Sequence, residues 1–202
     1  RRSLNSPETQ ERRWRSNLAA TIETYLAYGS EECRPAFASL HFGYLPWGYA
    51  WSFPGANGQT LGIAGLVSKG HGSIRGAFRD FLESIGISEA IDGDWKGYPL
   101  PYGNYLRRPA HQRLLLIGDA CGLADPLLGE GIYSAHASAR IAAQAVIKAG
   151  LEVEQTSRIY SDTLHRGLIR ELRSIKLMRT VLFAGGRHRR YRGLKLFCRL
   201  LP

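Results

Sequence analysis

Cysteine is scarce in this chain of 202 residues. Its three cysteines, Cys33, Cys121 and Cys198, are odd in number and far apart. They form no CxxC pair and no disulfide framework, which points to a reducing compartment. Long hydrophobic runs are missing too. No uncharged apolar run approaches the roughly 18 residues of a bilayer span, which excludes a transmembrane helix. The polar, arginine-rich start carries no signal-peptide pattern. The six histidines show no metal-ligand spacing, and neither HExxH nor a nucleophile elbow occurs, so no metal is expected. Internal repeats are absent.

What is present is globular in kind. Apolar residues make up 44% and charged residues 22%, which excludes a disordered or fibrous chain. The net charge of +10 sits at the ends. Residues 1–16 carry +3, and Leu172–Pro202 carries nine Lys/Arg with no acid, leaving the middle at −2. A near-neutral body with basic ends is not a nucleic-acid footprint, and no nucleic-acid partner is expected. Arg and Leu/Phe interleave from Arg187 to Leu201. That pattern fits peripheral contact with an anionic membrane surface, where each basic residue contributes ~1 kcal/mol. It fits a solvated tail or a packed helix equally well.

Ser6-Pro7-Glu8 is a turn or helix-start signal. Asn17–Ala27 leans to a strand. Ala36–Gly43, Gly48–Phe53 and Gln59–Val67 are short apolar runs separated by Pro and Gly, which predicts an antiparallel meander. Ser73–Ile85 has Ile74, Ala77, Phe78, Phe81, Leu82 and Ile85 on one helical face. Gly86–Asn104, with Gly, Pro and Asp throughout, reads as a loop. Arg113–Asp119 is a continuous aliphatic run ending in Gly-Asp, which predicts a strand buried on both faces of a parallel sheet. Glu130–Ala149 is Ala-rich and stops at Gly150, which predicts a helix. Residues 153–182 hold a further helical pattern.

The chemistry concentrates in Gly118-Asp119-Ala120-Cys121-Gly122, then Pro126, then Gly129-Glu130-Gly131-Ile132. A buried strand that ejects Asp119 at its end offers a carboxylate to sugar hydroxyls, at the sheet edge where ligands lie. Gly118 lets a ligand approach the backbone. Gly129-Glu130-Gly131 opens a helix whose free N–H groups favour negative charge. That combination suits a flavin nucleotide. Cys121 beside it reads as a small buried hydrophobe, with a tuning or reactive role as the alternative. Upstream, Pro46-Trp47-Gly48-Tyr49-Ala50-Trp51-Ser52-Phe53-Pro54 alternates, which puts Tyr49, Trp51 and Phe53 on one face of a strand. His41 nearby reads as structural, with proton donation as the alternative. Gly70–Gly76 has the glycines of a dinucleotide loop at the wrong spacing, and reads as a loop before a helix.

These two segments resemble the geranylgeranyl reductase family, within the para-hydroxybenzoate-hydroxylase-like flavoproteins. The first is similar to that family's GDAAGxxxPxxGEGI motif, with Cys121 in place of Ala, and the second to its PxxYxWxFP signature. Tyr98–Gly103 and Arg1–Leu4 are similar to further family segments. The WxWxIP of related flavin halogenases is not matched. The resemblance implies an FAD-dependent oxidoreductase in which NAD(P)H reduces the flavin and the flavin delivers hydride to an isoprenoid C=C bond. It implies cofactor contacts from Gly118, Asp119, Ala120, Pro126, Gly129, Glu130, Gly131 and Ile132. Tyr49, Trp51 and Phe53 would border flavin and substrate, an isoprenoid lipid or another apolar small molecule. No catalytic residue is assigned. The expected fold is an α+β portion of an α/β flavoprotein. Residues 1–110 would form a substrate-domain antiparallel sheet with one helix. Residues 111–150 would supply the last parallel strand and helix of a Rossmann-like FAD domain, and residues 151–202 a basic helical region. The family's N-terminal GxGxxG segment is absent, so a C-terminal portion of a longer protein is expected. The expected location is the cytoplasm, with membrane association through the basic end. The alternatives are a related flavin monooxygenase acting on an aromatic or polyketide, and a non-catalytic remnant without stable FAD.

Overall fold

The computed structural model describes residues 11–12, 14–28, 37–69, 72–87 and 93–183. The basic segment from Arg187, Cys33, Cys198, Ser6–Glu8 and the Gly70-His71 pair lie outside the described residues. The chain divides into two units, one of residues 18–99 and 183–202, the other of residues 1–17 and 100–182.

The first unit is built on a sheet. Strands β2 (Ser39–His41), β3 (Gly48–Pro54) and β4 (Gly58–Leu66) form the expected antiparallel meander, and β1 (Leu18–Ala27), a strand as expected, closes against β4. The strand order is β2-β3-β4-β1-β5. The fifth strand, β5 (Lys96–Pro101), corrects the expectation of a loop over Gly86–Asn104. Most of its residues are exposed. An edge strand tolerates Pro99 and Gly97, because one side of its backbone needs no ladder partner.

Helix α1 (Ile74–Ser84) covers one face of this sheet. Ser73 starts it by accepting the Gly76 amide at 3.1 Å. Gly86, at φ 75°, ends it: its N–H and that of Ile87 return to Glu83 and Leu82. Ala77, Phe78, Phe81 and Leu82 face inward onto Ile22, Ala50, Leu61 and Ile63, and together they form the core of this unit. Each fully buried side chain of this size contributes about 1.5–3 kcal/mol. His41 belongs to this packed side, with its ring 5.0 Å from that of Phe81 and its Nε2 2.8 Å from Ser39 Oγ.

Over residues 100–182 the second unit carries a two-stranded hairpin, β6 (Ala110–His111) with β7 (Leu114–Leu115), followed by long helices. These are α2 (Ile132–Lys148), α3 (Val153–Arg166) and α4 (Leu168–Phe183). Glu152 caps α3 by accepting the amides of Glu154 and Gln155. Gly167 alone separates α3 from α4, so the helical pattern over residues 153–182 is two helices. The core gathers Cys121, Leu123, Ala145, Tyr160, Leu164, Leu168, Ile169 and Leu172.

The aliphatic run over residues 113–119 departs from expectation. It is not a strand buried on both faces: only Leu114 and Leu115 are extended into a ladder, antiparallel to β6, and Leu114 is 57% exposed. A buried parallel strand needs parallel strands on its flanks. Here the run pairs instead with β6, with the Pro109 carbonyl, which accepts the Leu116 amide, and with the Tyr160 hydroxyl, which donates to the Leu116 carbonyl. Parallel pairing among the described residues is one isolated bridge, Tyr102 to Ala124. No described helix is long and apolar enough to cross a membrane.

Candidate functional site

In the helical unit the Gly-Asp turn is built from backbone geometry. Gly118–Cys121 forms one 3-10 turn, with Gly118 at φ 51° and Gly122 at φ 72°. Both positions resist a side chain. A Cβ at Gly118 would meet Ala135 at 3.1 Å, and one at Gly122 would meet the Asn104 backbone at 2.8 Å. The turn is held from α2. Ser138, fully buried, accepts the Gly118 amide at 3.0 Å and donates back to the Ser134 carbonyl at 2.7 Å. Sequence reasoning missed Ser138. Its only signal was a hydroxyl inside an Ala-rich helix.

Asp119 emerges exposed from this turn. A Cβ at Gly131 would lie 3.2 Å from its Oδ1, so the carboxylate rests against the N-cap of α2. Among the described residues it makes no ion pair. Ala120 is exposed beside it, and Pro126 is buried. The loop between is closed by its own acids. Asp125 Oδ1 accepts the Leu127 and Leu128 amides at 2.8 and 2.6 Å, and the Asp125 amide donates to the Glu130 carbonyl at 2.6 Å. Glu130 Oε1 accepts the Tyr133 amide at 2.9 Å, so one free N–H of the α2 start is already satisfied by the chain. Ile117, Leu128 and Ile132 expose apolar side chains along this segment, Ile132 to 84%. Cys121 is fully buried, and burial pushes its thiol up to about 11, which leaves it un-ionised and unreactive at neutral pH.

In the sheet unit Tyr49, Trp51 and Phe53 share one face, as the alternation predicts. Their rings form a ladder, 5.9 Å from Tyr49 to Trp51 and 6.2 Å from Trp51 to Phe53, and Phe42 extends it at 5.9 Å from Tyr49. Their strand neighbours Ala50 and Ser52 are buried on the other side, where α1 packs. The ladder therefore lies on the sheet face opposite α1. Exposure rises along it, from buried Tyr49 to Phe53 at 42%. Its floor is glycine: a Cβ at Gly62 would lie 2.2 Å from the Trp51 ring, and one at Gly58 would lie 2.5 Å from the Tyr25 ring. Tyr25, 60% exposed on β1, widens the aromatic face, and the sequence pattern did not single it out. His41 points to the α1 side, which fits the structural reading.

No family model matches the chain. It is similar to the digeranylgeranylglycerophospholipid reductase 2 of Methanothermobacter thermautotrophicus, with 31% identity over 120 residues, 57% of this chain and 30% of that protein. Among solved structures it is similar to a geranylgeranyl bacteriochlorophyll reductase-like protein from Thermoplasma acidophilum. The TM-score there is 0.69 at 20% identity, covering 84% of this chain and 44% of that one. It is also similar to a flavin-dependent halogenase from Brevundimonas, with a TM-score of 0.58 at 13% identity, covering 84% and 32%. The chain spans about a third of the length of the curated relatives it matches. Its mixed α+β fold, an antiparallel sheet followed by C-terminal helices, is thus one shared with parts of these two proteins. The resemblance to the geranylgeranyl reductase family holds, over part of those proteins.

Proposed function

We propose that this chain forms the flavin-facing and substrate-facing parts of an FAD-dependent reductase of geranylgeranyl-type C=C bonds. The observation that carries the reading is Asp119: an exposed carboxylate against the Gly131 N-cap of α2, emerging from a turn where Gly118 sits at positive φ close against Ala135. These residues fit the ribityl region of FAD. The carboxylate is free to accept hydrogen bonds from two hydroxyls, and the glycines let the cofactor approach the backbone. Gly118, Asp119 and Ala120 would hold that region. Pro126 and Gly129–Ile132 would border the isoalloxazine ring, with Ile117, Leu128 and Ile132 excluding water from it. Glu130 would border it through its backbone, while its carboxylate holds the start of α2. Bound FAD, reduced by NAD(P)H, supplies the hydride.

The aromatic face over Gly58 and Gly62 would take the isoprenoid chain. Tyr49, Trp51 and Phe53 bind it by apolar contact, which orients the double bond and keeps water away. In this reading the 111–150 segment is the C-terminal part of an FAD domain, and residues 18–99 are the substrate domain. Peripheral membrane contact by the basic C-terminus would deliver a lipid substrate.

The test is titration of the chain with FAD, followed by flavin fluorescence, for the native sequence and Asp119→Ala. Loss of a hydrogen-bonding carboxylate should weaken binding about tenfold or more. Equal affinity for the two forms would overturn the reading. A second arm supplies chemically reduced FAD and digeranylgeranylglycerophospholipid and counts added hydrogens by mass spectrometry. The expected result is gain of hydrogen pairs, slowed by Trp51→Ala. No gain in the presence of bound flavin would favour the remnant without catalysis.

A further inference from the structure

Arg179 of α4 is 3% exposed, yet among the described residues no carboxylate pairs with it. Its Nη1 donates to the Tyr102 carbonyl at 3.4 Å and its Nη2 to Asn17 Oδ1 at 3.3 Å, while Nε is buried without a partner. Its guanidinium lies 4.7 Å from the centre of the Tyr102 ring. Burying a cation without a salt-bridging carboxylate, with Asp125 acting on it only through its field, is costly, and such a cost persists where the arrangement serves something else. The same tyrosine reaches the loop between the Gly-Asp turn and α2. Its hydroxyl donates to the Leu127 carbonyl, and its backbone bridges to Ala124. Next to it, Lys176 of the same helix donates to the Gly103 carbonyl at 2.8 Å, and a Cβ at Gly103 would meet Pro126 at 3.1 Å. Two cations one turn apart on α4 thus grip the Tyr102–Gly103 backbone, and that backbone supports residues 124–127.

We propose that Arg179 is a positioning residue for the cofactor loop. It holds Tyr102 by its carbonyl and its ring, and through Tyr102 it fixes the height of Ala124–Gly129 relative to the Asp119 turn. The inference rests on the flavin reading of that loop. It gives α4 a role in the binding site through Tyr102 rather than through direct contact. Arginine suits the position because a planar fork can donate to two oxygens and stack on a ring at once, which the lysine ammonium cannot.

The test is amide hydrogen exchange on the full chain without flavin, comparing Arg179→Met, Arg179→Lys and Tyr102→Phe, followed by FAD titration of each. Arg179→Met should speed exchange over Ala124–Gly129 about tenfold or more while the α2–α3 core around Ala145 and Tyr160 stays protected. Tyr102→Phe, which deletes one hydroxyl, should loosen the same loop and leave residues 14–17 unchanged. Arg179→Lys should restore part of the protection, through the Tyr102 carbonyl. FAD affinity should fall in the order of the loosening. Unchanged loop exchange in Tyr102→Phe, or exchange that rises evenly across the unit in Arg179→Met, would overturn the brace. If both variants loosen the loop but the native chain binds no FAD, the flavin reading falls and the brace stands as a structural device.

Discussion

The two units build their proposed binding surfaces in opposite ways. The sheet unit offers side chains on a regular frame: Tyr49, Trp51 and Phe53 stand on β3 because strand alternation puts them there. The helical unit offers backbone. Gly118, Gly122 and Gly131 matter for what they lack, and their shape depends on Ser138, Asn104 and Tyr102, which lie far away in sequence. A wall of side chains can lose a member and remain a wall. A backbone cradle fails when any of its distant supports moves.

That contrast can be broken by substitution. The largest expected effect is on the packed side of the sheet. Leu61→Ala or Phe81→Ala should cost about 3–5 kcal/mol in denaturant unfolding, since each is fully buried in the α1-covered core. Next comes the cradle: Gly122→Ala forces a Cβ to 2.8 Å from the Asn104 backbone at a positive φ, at about 2–4 kcal/mol. Ser138→Ala leaves the Gly118 amide buried and unpaired, at about 1–3 kcal/mol, and should weaken FAD binding beyond that loss of stability. If Ser138→Ala were neutral in both measurements, the cradle would not depend on distant supports, and the contrast would collapse.

Smaller effects sharpen the same comparison. The Cys121 thiol ionises at about 11 when folded and about 9 when unfolded. Above pH 9 the unfolded chain releases this proton first, so stability should fall as pH rises from about 9 to about 11. The phenols of buried Tyr160 and half-buried Tyr105, both raised by desolvation, act in the same direction. Melting temperatures of native chain and Cys121→Ala across this range should converge as pH rises, because only the native chain carries the thiol term. Phe53→Ala should change stability least, by about 0.5 kcal/mol, because its ring is already 42% exposed. An effect as large as that of Leu61→Ala would mean the ladder is a second core rather than an open face.

How far each unit was legible follows from the same difference. The meander, the α1 face and the aromatic side of β3 are periodic, and period is what a sequence displays. The Gly-Asp turn and the α2 start were legible as motif, but not as geometry. Nothing in the spacing shows that Ser138 would reach back twenty residues to Gly118, or that Glu130 would spend its carboxylate on its own helix. The aliphatic run at Arg113–Asp119 was misread because its composition announces a buried strand without saying which strands bury it. Strand β5 was missed because Pro and Gly suit an edge as well as a loop.

The glycines of β4 have a further consequence. Gly58 and Gly62 bring no side-chain surface of their own to the sheet, and Tyr25 and Trp51 cover them from neighbouring strands. Strand β4 is in effect clothed by borrowed rings. Those rings keep water from a strand that pairs on both sides, and they are also the face proposed above for the isoprenoid chain. Recognition and folding therefore draw on the same atoms. A change at Trp51 that reshapes the aromatic face for a different ligand would also uncover Gly62. Any retuning of preference there is coupled to the integrity of the sheet, and would need a compensating side chain at position 62 to separate the two.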